Sequence, residues 1–111
     1  MNPRAEFRLD ADGSAAIAGE LTLDTVPHVF RSAQDALRRS GARLNTVDFA
    51  AVERVDSSGL ALLLEWEAGR AQADGDLVIR NAPDDLLRLA RLCEAQDLLH
   101  LDGRATEAGH G

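Results

Sequence analysis

The sequence predicts an α/β domain with a mixed central sheet and packed helices, in the order ββαβαβαβ. Three observations predict it. Phe7 and Leu9 alternate with polar neighbours, and Asp12-Gly13 then turns the chain back into Ala15 to Ala18, as in a hairpin. Three helical patterns follow, from about Val26, Ser58 and Asp84, and each leads into a short strand-like run. Strands that alternate with helices need crossover connections, which place them parallel in one sheet. The pattern leaves open whether the helices cover one face of the sheet or both.

Each element has its own local signal. Gly19-Glu20-Leu21 closes the second strand. The first helix can be capped by Asp24 or Thr25, and Pro27 sits in its first turn, where a missing N–H costs little. Val26, Val29, Phe30, Ala33 and Leu37 fall on one face, Arg38 and Arg39 suit the negative end, and Gly41 can close the helix. Leu44 to Phe49 reads as a strand, followed by an irregular stretch to Val55. The second helix is expected from about Ser58 to Ala73, stopping near Asp74-Gly75. Leu77-Val78-Ile79 is a short apolar strand of the buried kind. Pro83, Asp84 and Asp85 start a third helix, with acids in its positive first turn and Leu86, Leu89, Ala90 and Cys93 on its inner stripe. A last strand is expected at Leu98 to Leu101, and residues 103–111 read as a frayed tail.

The 111 residues fit a single domain, with its core at about residues 6–102. Hydrophobic residues are 45% of the chain, enough for a core, and charged residues are 28%. The net charge of −7, with all twelve cations Arg, argues against a nucleic-acid binder and against attraction to an anionic membrane surface. The single Cys93 cannot form an internal disulfide, and its spacing suits a buried helical position. The first residues do not resemble a signal peptide, and the longest apolar run, Leu60 to Leu64, is far short of a membrane span. The expected location is the cytoplasm. His28, His100 and His110 have no metal-ligand spacing, and there is no P-loop, dinucleotide fingerprint or Ser-His-Asp arrangement. The expectation is therefore a protein that is not an enzyme and needs no cofactor or metal.

The informative stretch is Val55-Asp56-Ser57-Ser58-Gly59-Leu60-Ala61-Leu62-Leu63-Leu64. It reads as a strand end, a polar turn and a helix start. Ser57 or Ser58 can cap the helix, and Gly59 permits a tight turn or the close approach of another backbone. Taken alone, most such sequences are capped helices and nothing more.

Asp56-Ser57-Ser58-Gly59-Leu60 resembles the signature of STAS domains, the family of bacterial anti-sigma factor antagonists and related modules. Gly19-Glu20-Leu21 is similar to that family's early motif, and the element order resembles its fold over roughly residues 6–102. In antagonists the residue after the Asp accepts phosphate from a partner kinase, and the resemblance puts that role on Ser57. Gly59-Leu60-Ala61-Leu62-Leu63-Leu64 looks more like the MlaB-type branch, whose members bind the cytoplasmic ATPase subunit of the Mla phospholipid-transport ABC complex. Thr25-Val26-Pro27 is similar to that branch too. Antagonists often carry a second glycine after Gly-Leu and an acid after Gly-Glu-Leu, where this chain has Ala61 and Thr22. The resemblance thus implies, first, an accessory subunit on an ABC transporter ATPase, brought to the inner membrane through that partner. Second, it implies an antagonist that binds an anti-sigma factor kinase and is phosphorylated on Ser57. Some STAS domains bind nucleotides, but no purine pocket can be read from these residues.

The second helix has two apolar stripes. At about 100° per residue, Leu60, Ala61, Leu64, Ala68 and Ala71 share one side, and Leu62, Trp66 and Gly69 lie roughly opposite. A surface helix normally has one stripe. Either both stripes are buried, one on the sheet and one under a neighbouring helix, or, as the favoured expectation, one packs on the sheet while Leu62 and Trp66, one turn apart, face a partner; Trp is enriched at binding hot spots. The expected docking site is therefore Asp56, Ser57, Ser58, Gly59, Leu62 and Trp66. An exposed Leu62–Trp66 stripe would also favour weak self-association.

Overall fold

A computed structural model describes residues 4–69 and 77–103. The elements are β1 (Ala5–Leu9), β2 (Ser14–Leu21), α1 (Val26–Ser40), β3 (Thr46–Val55), α2 (Ser57–Gly69), β4 (Val78–Ala82), α3 (Asp84–Leu92) and β5 (His100–Gly103). The order is the expected one. The end of the second helix expected at Ala73 and the tail expected from residue 103 onward fall largely outside the described residues.

The five strands form one sheet in sequence order, β1-β2-β3-β4-β5. The β1–β2 pair is antiparallel and the rest are parallel. Each parallel step moves one strand in the same direction through one helix. Right-handed crossovers then put all three helices on the same face, which answers the question the sequence pattern left open. Contacts of α2 with both α1 and α3 place it in the middle of that layer. Beneath it lie Ile17, Leu21, Val47, Phe49 and Ile79, all fully buried. The other face of the sheet is bare and carries Arg8, Ala16, Asp48 and Arg80 in one cross-strand row.

Local chemistry explains the boundaries. Asp12 accepts the Ser14 N–H at 3.0 Å, and Gly13 takes the positive φ of 90° that the hairpin turn requires. Gly41, at φ 72°, ends α1 by donating its N–H to the Leu37 carbonyl at 2.9 Å. β3 is continuous through residues 50–54, where the sequence suggested an irregular stretch. There Gly19 to Leu21 of β2 pair with Val52 to Val55, supplying the partner that local propensity cannot reveal. β4 runs on to Ala82 with Asn81 at a positive φ of 57°, and its side chain donates to Asp48 Oδ1 at 2.8 Å. β5 starts at His100, so Leu98 is left exposed while Leu99 is buried. Cys93 is the C-cap of α3 and is exposed, in contrast to the buried position its spacing suggested. The helix ends at Leu92, so the stripe of Leu86 and Ala90 does not continue to Cys93.

Candidate functional site

The parallel β2 and β3 end side by side, with Leu21 paired to Val55. The loop that follows β2 and the helix that follows β3 therefore leave the sheet together. Asp56 joins them. Its Oδ1 accepts the N–H of Ser58 at 2.8 Å and of Gly59 at 3.3 Å, and its Oδ2 accepts the N–H of Leu23 at 3.0 Å. Its own N–H donates to the Leu21 carbonyl at 3.2 Å. Asp56 is thus the N-cap of α2, a role the sequence offered to Ser57 or Ser58. A carboxylate at this position satisfies orphan donors and meets the positive helix end.

Gly59 serves close packing. A Cβ there would lie 2.8 Å from the Leu21 carbonyl oxygen and 2.9 Å from Val55 Cγ1. The residue is buried and faces the sheet, so its side-chain-free surface holds α2 against β2 and β3 and is not offered to a partner. The β2–α1 loop is equally fixed. Thr25 is buried at the N-cap position of α1, yet its hydroxyl makes no cap bond. It donates to the Glu20 carbonyl at 2.6 Å and accepts the Thr22 N–H at 2.9 Å.

The Leu62–Trp66 side of α2, expected to face outward, faces inward, while Leu60 of the other stripe is buried as expected. Leu62 is only 4% exposed and Leu63 is fully buried. Trp66 is half-buried against the core, its ring 6.0 Å from that of Phe7 and tilted by 58°. The outer arc consists of exposed Ser57, Ala61, Glu65 and Ala68 with half-buried Leu64. The physical reason is the central place of α2. Leu60, Leu62 and Leu63 span about 160° of the wheel, and half-buried Ser58 and Leu64 widen the covered arc to about 240°, because sheet and flanking helices together enclose most of the cylinder. The Leu62–Trp66 stripe is therefore the inner one, and the self-association expected from its exposure loses its basis.

Of the six residues singled out by sequence, Ser57 alone is fully on the outer surface, at the first turn of α2. Among the described residues its hydroxyl has no hydrogen-bond partner. Ser58 is half-buried, while Asp56 and Gly59 build the turn. Sequence reasoning missed Leu23, which is 71% exposed and is held by Asp56 beside the start of α2. A signal was present: a lone Leu among Thr22, Asp24 and Thr25, belonging to neither strand nor helix stripe.

A concavity of about 350 Å³ lies on the bare sheet face, where small Ser14 and Ala16 leave room. Its charges offset one another, Arg8 and Arg80 against Asp10 and Asp48, so it selects no ligand charge. Among the described residues no three His, Cys, Asp or Glu side chains are grouped to hold a metal ion. No helix among them is long and apolar enough to cross a membrane.

A family model described as "Mlab, STAS domain" matches residues 7–108. No curated protein matches the chain.

Proposed function

The chain belongs to the STAS family, in its MlaB-type branch, and from that premise we propose that it is an accessory subunit of a phospholipid-transport ABC complex. It docks on the cytoplasmic ATPase subunit and supports its assembly or activity, and it meets the inner membrane only through that partner. STAS domains are typically non-catalytic, and nucleotide turnover belongs to the ATPase.

The observation that carries the reading is the division of roles at the start of α2. Asp56 satisfies the orphan N–H groups, so the Ser57 hydroxyl is left for another molecule. Below it the outer arc offers Ala61, Ala68 and the edge of Leu64, a small, smooth surface on a helix that is otherwise core. Ala61 and Thr22 favour the transport branch over the antagonists.

The test is reconstitution of the purified chain with the purified ATPase subunit of the Mla-type transporter from the same organism. Co-elution and a change in ATP hydrolysis are expected. Ala61→Arg, which places a long cation on the outer arc without touching the core, is expected to abolish both. Normal co-elution of Ala61→Arg would remove this face from the reading.

The exposed Ser57 hydroxyl supports a second reading, an anti-sigma factor antagonist switched by a kinase. A phosphoryl group there adds roughly 1.5 to 2 negative charges next to Asp56 and an apolar arc, so it repels and must be desolvated on docking. Intact-mass analysis after incubation with the anti-sigma kinase should show one added phosphoryl group, lost in Ser57→Ala. Ser57→Asp should weaken docking in either pathway, and unchanged affinity would remove the switch.

A further inference from the structure

We propose that Leu23 is the anchor of the docking surface, and that the partner receives it in an apolar pocket rimmed by Lys or Arg side chains. The proposal rests on the docking reading above and adds a second element to the surface and a chemistry for the partner.

A single exposed leucine on a protein surface is ordinary. Leu23 differs in how it is held. Its N–H donates to Asp56 Oδ2, while Oδ1 of the same carboxylate caps α2. Thr25 ties the loop to Glu20 and Thr22 on its other side, and the Thr25 and Val26 N–H groups both donate to the Thr22 carbonyl, at 2.9 and 2.8 Å. The backbone of Leu23 is therefore fixed before any partner arrives, while its side chain stands 71% exposed. With its backbone already fixed, an apolar side chain gives up only its own rotamer freedom when it is buried, which suits an anchor. The other exposed leucines, Leu92 in the last turn of α3 and Leu98, whose N–H donates to the Ala95 carbonyl at 2.9 Å, lie at the end of the sheet opposite the start of α2.

Charge identifies the pocket. Neither residues 22–25 nor α2 contains Lys or Arg. The exposed charged groups on these two segments are acidic, Asp24 next to the anchor and Glu65 on the outer arc of α2. The whole chain carries a net charge of −7. Arg4 and His28 share a hollow with Asp24 and Thr25 on the β1 side of the loop, so it is on the side toward α2 that the apolar knob is flanked by carboxylates alone. That side is complementary to an apolar hole with a cationic rim, and such a rim mainly speeds association.

The experiment measures binding kinetics of the full chain to the same purified ATPase subunit at low and high salt. Leu23→Ala is expected to weaken affinity by about 30-fold, mostly through faster dissociation, as for a hot-spot residue. It should leave the melting temperature nearly unchanged, because the side chain is 71% exposed. Asp24→Arg with Glu65→Arg is expected to slow association several-fold at low salt, and the difference should fade at high salt. Wild-type affinity of Leu23→Ala, or faster association of the charge-reversed variant, overturns the inference. Ala61→Arg separates the two levels. If it abolishes binding while Leu23→Ala does not, docking on α2 stands and the anchor falls. If Ala61→Arg also binds normally, the docking face itself is wrong.

Discussion

α1 and α2 are neighbours in one layer, yet they are built on opposite plans. α1 buries Val29 and Ala33, half-buries Val26, Phe30 and Leu37, and turns Arg31, Gln34, Asp35, Arg38 and Arg39 to solvent. α2 buries Gly59, Leu60, Leu62 and Leu63 and half-buries Leu64 and Trp66. An outer helix of the layer needs one apolar stripe, and a central helix needs an apolar face on most of its circumference. The comparison teaches that apolar residues all round a helix are a poor guide to a binding surface. In α2 most of them are core, and the outward arc is distinguished by small side chains.

The sharpest way to break this contrast is to truncate both helices. Leu63→Ala should cost about 3–4 kcal/mol and Leu62→Ala about 2–4 kcal/mol, as fully enclosed leucines do. Leu37→Ala, on the half-buried edge of α1, should cost about 1 kcal/mol. Urea denaturation of the three variants decides it, and a Leu62→Ala variant as stable as wild type would return that residue to the surface. The next effect is smaller and specific to α2. Gly59→Ala pushes a methyl group against the Leu21 carbonyl and Val55, which should destabilise by about 1–3 kcal/mol. The same change at exposed Gly69, which has open space around it, should be nearly neutral in thermal melts.

Trp66→Ala sharpens the assignment of the inner stripe. It loses half-buried area and the Phe7 ring contact, so about 1–2 kcal/mol of stability should go while affinity for the ATPase is kept. A variant with intact stability and lost affinity would reverse the assignment. Asp56→Ala removes an N-cap worth about 1 kcal/mol. It should also free the Leu23 amide, seen as faster hydrogen exchange at that residue with little change in α1.

The smallest expected effect lies far from the helices, in the β1–β2 turn. Backbone and side-chain hydrogen bonds from Ser14 hold the Asp12 carboxyl below its ordinary value of 3.8. A lowered native value means that the ionised form stabilises the fold. That contribution is complete above the ordinary value and is lost as pH falls through the lowered one. Melting temperatures of Asp12→Ala and the wild type should therefore converge in acid and differ slightly at neutral pH.

Much of this was readable without a structure because it depends on close neighbours in the chain. The hairpin turn at Asp12-Gly13, the Gly41 stop and the Pro83-Asp84-Asp85 start are each set by residues within one turn of one another, and so is the position of the Asp56-to-Gly59 segment ahead of a helix. The element order and the family resemblance follow from these signals. The tertiary structure alone decided which stripe of α2 is inside, that β3 continues to Val55, and that Leu23 stands beside Asp56. In each case the deciding partner comes from another segment: α1 and α3 around α2, Leu23 on Asp56, Gly19 to Leu21 along β3. Periodicity shows that a residue can be buried, but only the elements packed against it determine whether it is.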